Sequence, residues 1–167
     1  LQWVGRYAAD LRPDVIVHLG DHWDMPSLSS YDRRGGREME GRRYAADVRS
    51  GNDAWALLDA PMRVRGWKPR RILLRGNHED RITRAIEANP TELDGVVSLD
   101  DLESPGWEVH DFLQPVWIGG VCFSHYFYNH NTGRPLGSAV ESRLKTIGHS
   151  FVMGHQQGLR VGMREVG

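Results

Sequence analysis

The chain of 167 residues sets 21 Lys and Arg against 22 Asp and Glu, and its net charge of −1 supplies no general attraction to nucleic acid or to a membrane surface. Apolar residues at 40% and charged residues at 26% are proportions of an ordinary globular protein, and the length suffices for a single domain over 1–167 with its own core. The lone cysteine, Cys122, excludes an internal disulfide framework and points to a reducing, cytoplasmic setting; no apolar run approaches the ~20 residues of a bilayer-spanning helix.

Trp3, Val4, Tyr7, Ala8 and Leu11 recur at helical spacing, which predicts a helix over 2–11. Pro13-Asp14 ends it, and Val15 to Leu19 is a short buried strand. Residues 25–43 read as an arginine-rich loop, followed by a long helix over 44–65. Ile72 to Leu74 is a second strand, and Arg81 to Ala88 a helix stopped at Asn89-Pro90. Residues 91–106 are acidic and irregular. Strands are expected over 107–112, 116–118 and 121–123, the last two joined by a tight Gly119-Gly120 turn. A loop over 133–137, a helix over 138–147 and a strand over 151–153 complete the pattern, which is that of a mixed α/β layered domain.

Four polar motifs stand directly after apolar runs: Gly20-Asp21-His22-Trp23-Asp24, Gly76-Asn77-His78-Glu79-Asp80, Ser124-His125 and Gly154-His155-Gln156-Gln157. Polar groups at the ends of several strands are how an α/β protein assembles a site. Asp21 offers a carboxylate, Asn77 a neutral carbonyl oxygen, and His125 and His155 imidazole nitrogens, an O,O,N,N set suited to Mn, Fe or Zn and poorly suited to Ca. Glycine ahead of Asp21, Asn77 and His155 lets the backbone turn sharply and approach a ligand. The combination reads most simply as a metal-dependent phosphoester hydrolase.

In their order and spacing these motifs resemble the calcineurin-like metallophosphoesterase superfamily, in its bacterial and bacteriophage versions, over residues 14–158. The resemblance implies an α/β fold of the four-layer α/β/β/α sandwich type with mixed sheets and two divalent metal ions. It implies Asp21 as bridging carboxylate, with Asn77, His125 and His155 completing one metal's shell. His78 would face the phosphate as the catalytic group and Asp24 would fix its tautomer. A hydroxide shared by the two cations would attack phosphorus. The family's first motif, an Asp-x-His, is missing here, which suggests a fragment truncated at the N-terminus and incomplete at the C-terminus. Gln157 stands where a second histidine is usual and would be a weak ligand, so the first metal site is expected to be incomplete.

Arg81, His22, His130 and Arg134 are candidate substrate contacts, although a plain salt bridge to Glu79 or Asp80 is the simpler expectation for Arg81. His18, His110 and His149 are expected to be structural, and Cys122 inert core. Arg33, Arg34, Arg37, Arg42 and Arg43 read as a solvated insert, with recognition of a polyanion as the sharper alternative. The substrate would be a phosphorylated small molecule or a nucleic acid, with no membrane and no obligate protein partner. Two other readings stay open: a nuclease, and a non-catalytic phosphate- or nucleic-acid-binding module with one degraded metal site.

Overall fold

The computed structural model describes residues 1–32, 36–137 and 139–165. Arg33 and Arg34 of the arginine-rich stretch lie outside the described residues, as does Ser138 at the expected start of the last helix. The architecture is mixed α/β, with two small three-stranded sheets. Among the described residues no helix is long and apolar enough to cross a membrane.

The first sheet is parallel in the order β1 (Val15–His18), β2 (Arg70–Leu74), β3 (Glu108–His110), with Val17 beside Ile72 and Leu73 beside Val109. In the second, β4 (Val116–Ile118) pairs antiparallel with β5 (Val121–Ser124), and β6 (Phe151–Met153) runs parallel to β5. Gly119 and Gly120 both take positive φ, 56° and 81°, the pair of left-handed residues that a two-residue hairpin turn needs.

The alternation of a strand decides the layering. Leu73 faces a helical layer, where it joins Ala9, Trp55, Leu58 and Met62. Its neighbours Ile72 and Leu74 face the other way and meet Val116, Ile118 and Phe123 of the second sheet. The helical layer consists of α1 (Gln2–Leu11) packed on α2 (Tyr44–Val64). α1 turns Trp3, Tyr7 and Leu11 outward, Trp3 being 73% exposed, while its buried face is Gly5 and Ala9 with Val4 half-buried against the core. Small residues win that face because the backbones touch there; a Cβ on Gly5 would collide with the Leu58 carbonyl.

α3 (Arg81–Ala88) follows β2 as expected. The stretch over 91–106 is more ordered than its composition suggests. It holds a short helix, α4 (Pro90–Leu93), and a 3-10 turn, Leu99–Asp101, whose capping box is built by Ser98 and Asp101. The Tyr44 hydroxyl donates to Asp101 at 2.6 Å and ties that turn to α2. The strand expected over 107–112 shortens to Glu108–His110. α5 (Val140–Ile147) lies by the second sheet, reaching it through Arg143 and Met153.

A candidate metal centre

The C-terminal ends of β1, β2, β5 and β6 converge on one cleft lined by Leu19, Gly20, Asp21, His78, His125, Gly154, His155, Gln156 and Gln157, with a volume of about 310 Å³. Glycine makes the convergence possible. A Cβ on Gly20 would stand 2.6 Å from the Gly76 nitrogen, and one on Gly76 would stand 2.7 Å from His125 Cε1. The backbone is left-handed at Asp21 (φ 54°) and His155 (φ 63°), a sparsely populated region for non-glycine residues that is favoured at functional sites.

Asp21, His125 and His155 form a group able to hold a cation, one ligand atom from each lying within 4.8 Å of the others. The Asn77 side chain lies among them. Its Oδ1 is 2.9 Å from His125 Nε2 and 2.7 Å from His155 Nδ1, and Asp21 Oδ2 is 3.5 Å from His125 Nε2. His125 is 2% exposed, and its Nδ1 stands 2.5 Å from the Leu19 carbonyl. Only an N–H satisfies a carbonyl, so Nδ1 carries a proton, and Nε2, which offers a lone pair when the ring is neutral, faces two oxygens. Burial pushes the His155 pKa down, which favours the neutral, ligating form of that ring. A neutral His125 Nε2, Asn77 Oδ1 and Asp21 Oδ2 turned on one another are the arrangement that a shared cation relieves, and the donor set fits Mn, Fe or Zn.

His78 enters the same cleft from the loop after β2. Its Nδ1 lies 2.7 Å from Asp24 Oδ1 and its backbone N–H donates to Asp21 Oδ1 at 3.0 Å. With the carboxylate holding Nδ1–H, Nε2 is an acceptor, and Arg81 Nη2 reaches it at 3.2 Å. The salt bridge expected for Arg81 is absent. Its Nη1 instead donates to the carbonyls of Asp24 and Met25 at 2.8 and 3.2 Å, while Asp80 pairs with Arg84 one turn on, at 3.0 Å.

Glu79, expected from the sequence only as a salt-bridge partner for Arg81, is a central structural residue. It is fully buried and accepts four backbone N–H groups: Asp21 at 3.0 Å, His22 at 2.6 Å, Trp23 at 3.1 Å and Gly76 at 2.7 Å. Left-handed Gly20 and Asp21 turn successive N–H groups to one side, making an anion nest that this carboxylate fills. The loops bearing Asp21 and Asn77 are thereby clamped to one another.

Of the remaining candidates, His22, His130 and Arg134 are not brought into the cleft. His22 turns inward and stacks on Trp55, ring centroids 3.7 Å apart and 7° from parallel, with Nε2 on the Gly51 carbonyl at 2.9 Å. His18 lies behind it: the Gly20 N–H donates to His18 Nδ1 at 3.2 Å, and His18 Nε2 is 3.3 Å from His22 Nδ1. Burial pushes His18 down to about 4. His130 packs on Tyr128, ring centroids 4.7 Å apart, in a separate pocket beyond Tyr126. Arg134 sits exposed in the same surface loop. Gln157 lines the cleft and is exposed. No family model, curated protein or solved structure matches the chain.

Proposed function

We propose that the chain is a metal-dependent phosphoester hydrolase of the calcineurin-like metallophosphoesterase type, its two facing sheets being the inner layers of a four-layer α/β/β/α sandwich. The observation that carries this reading is the meeting of Asp21, Asn77, His125 and His155 beside a histidine already oriented by a carboxylate.

A cation bound there, Mn, Fe or Zn, supplies Lewis-acid activation of a phosphoryl oxygen and of a water nucleophile. The residues of the chain do the rest. Asp21, Asn77, His125 and His155 would hold the cation, and the Leu19 carbonyl keeps a proton on His125 Nδ1. Asp24 holds His78 by Nδ1–H, which leaves Nε2 as the ring atom that, once it has taken a proton from solvent, would pass that proton to the leaving oxygen. Arg81 offers a charged N–H at the same point. The substrate is a phosphomonoester or phosphodiester.

The test is hydrolysis of an aryl phosphate and a bis-aryl phosphate by the purified chain in Mn²⁺. His78→Ala is expected to lower kcat by roughly 10²–10⁴ with cation binding intact, and His125→Ala to lose the cation. Equal turnover by parent and His78→Ala would refute the role of His78.

A single cluster of candidate ligands among the described residues favours a second reading. A chain that holds one cation and binds phosphate without turnover would take up one equivalent of Mn²⁺ and leave both aryl esters intact.

A further inference from the structure

α5 carries a charge that its surroundings leave uncompensated. Arg143 is 4% exposed. Its Nε donates to the Gly137 carbonyl at 2.6 Å and its Nη1 to Met153 Sδ at 3.7 Å. Nη2 is buried and has no partner, and among the described residues no carboxylate pairs with the guanidinium. An ionised group in that position is costly to bury unless an opposite charge joins it.

Arg143 lines a cavity of about 350 Å³ between α5, β6 and the segment over 156–162. A second cation, Arg160, lines it too, and no Asp or Glu does. Burial and the charge of Arg160 push the Arg143 pKa down, as expected where like charges share a site. Val140, Leu144 and Phe151 supply an apolar wall. Gln156 contributes an amide whose Oε1 is also buried and unbonded. A half-turn about its terminal torsion would present N–H donors instead.

We infer that this cavity is a binding site for a phosphate group, free or carried on a small organic group, separate from the metal cleft. The buried guanidinium of Arg143 supplies a charge and an unbonded Nη2 to a phosphate's oxygens, and the apolar wall suits an organic group. The site does not depend on the hydrolase reading. Its position bears on that reading, because Gly154 and Gln156, which flank His155, line both cavities.

The test uses the whole chain freed of metal with a chelator. Inorganic phosphate and phenyl phosphate are titrated calorimetrically, and thermal unfolding is followed in each against chloride at equal ionic strength. Both ligands are expected to raise Tm. Arg143→Met should weaken binding at least about tenfold, the worth of a charged hydrogen bond, and abolish the rise in Tm. Without phosphate the same variant should be at least as stable as the parent, because it removes an unpaired buried charge. Tighter binding of phenyl phosphate assigns the apolar wall to an organic group, and equal binding assigns the site to free phosphate; either supports the inference. If Arg143→Met does not fold, Arg160→Met carries the test through a several-fold loss of affinity. No phosphate-dependent rise in the parent, or the same rise in the variant that folds, overturns it.

Discussion

Replacing Glu79 by Gln tests the clamp that holds the two central loops together. The side chain keeps its shape and loses its charge. Oε1 receives the N–H groups of His22 and Trp23, and Oε2 those of Asp21 and Gly76. A glutamine presents one oxygen and one NH₂ group, so either orientation leaves two backbone donors facing a donor. Each unsatisfied buried donor costs about 1–3 kcal/mol, giving a destabilisation of about 4 kcal/mol, a large part of the 5–15 kcal/mol that holds a domain folded. Urea unfolding of the metal-free protein reads it as a lower midpoint at unchanged slope. Mn²⁺ affinity should fall at least about tenfold with it, because displaced Asp21 and Asn77 each lose a charge-assisted or neutral ligand bond of the size that costs 10–100-fold when its supporting contact goes. Glu79→Asp keeps the charge on a shorter arm and should lie between. A Gln variant within about 1 kcal/mol of the parent, an ordinary mutational effect, would refute the clamp.

Two further predictions concern neighbouring parts of the fold. His18 stays neutral in the folded protein down to about 4, against 6.5 as the ordinary value. The unfolded chain therefore takes up a proton that the folded chain refuses. Stability is fully present above about pH 6.5, falls as pH drops toward 4, and levels off below; the loss is about 3 kcal/mol at 1.36 kcal/mol per unit. Urea titrations at pH 7 and 4.5 should show a flatter dependence for His18→Gln, and an unchanged slope would contradict the buried neutral ring. Gly76→Ala drives a Cβ against the Asp21 side chain and to 2.7 Å from His125 Cε1, whereas Gly137→Ala meets nothing within 4 Å. Calorimetric titration with Mn²⁺ should find binding lost in the first and retained in the second. Retention in both would mean that the loops do not pack as described.

The candidate ligands were legible in the sequence because each follows an apolar run and three of them follow a glycine, and the strand ends that this pattern marks survive folding. The Gly119-Gly120 hairpin was legible for the same reason, since its chemistry is contained in two residues. What escaped depends on contacts between distant segments. Glu79 answers N–H groups 56 to 58 residues away, and only the left-handed turn at Gly20 and Asp21 aims them at it. The outward turn of Trp3, Tyr7 and Leu11 on α1 follows from the Leu58 carbonyl needing the Gly5 face. His22 adjoins Asp21 in sequence but is drawn inward by Trp55 and the Gly51 carbonyl. His130 and Arg134 are near His125 in sequence, but the chain carries them away with the surface loop.

Crystals grown with Mn²⁺ test the central claim most directly through anomalous scattering. The expected result is a peak about 2.2 Å from Asp21, Asn77, His125 and His155, the bond length of divalent metals to oxygen and nitrogen. A peak at other residues, or no peak and these four side chains bonded only to one another, would contradict the account.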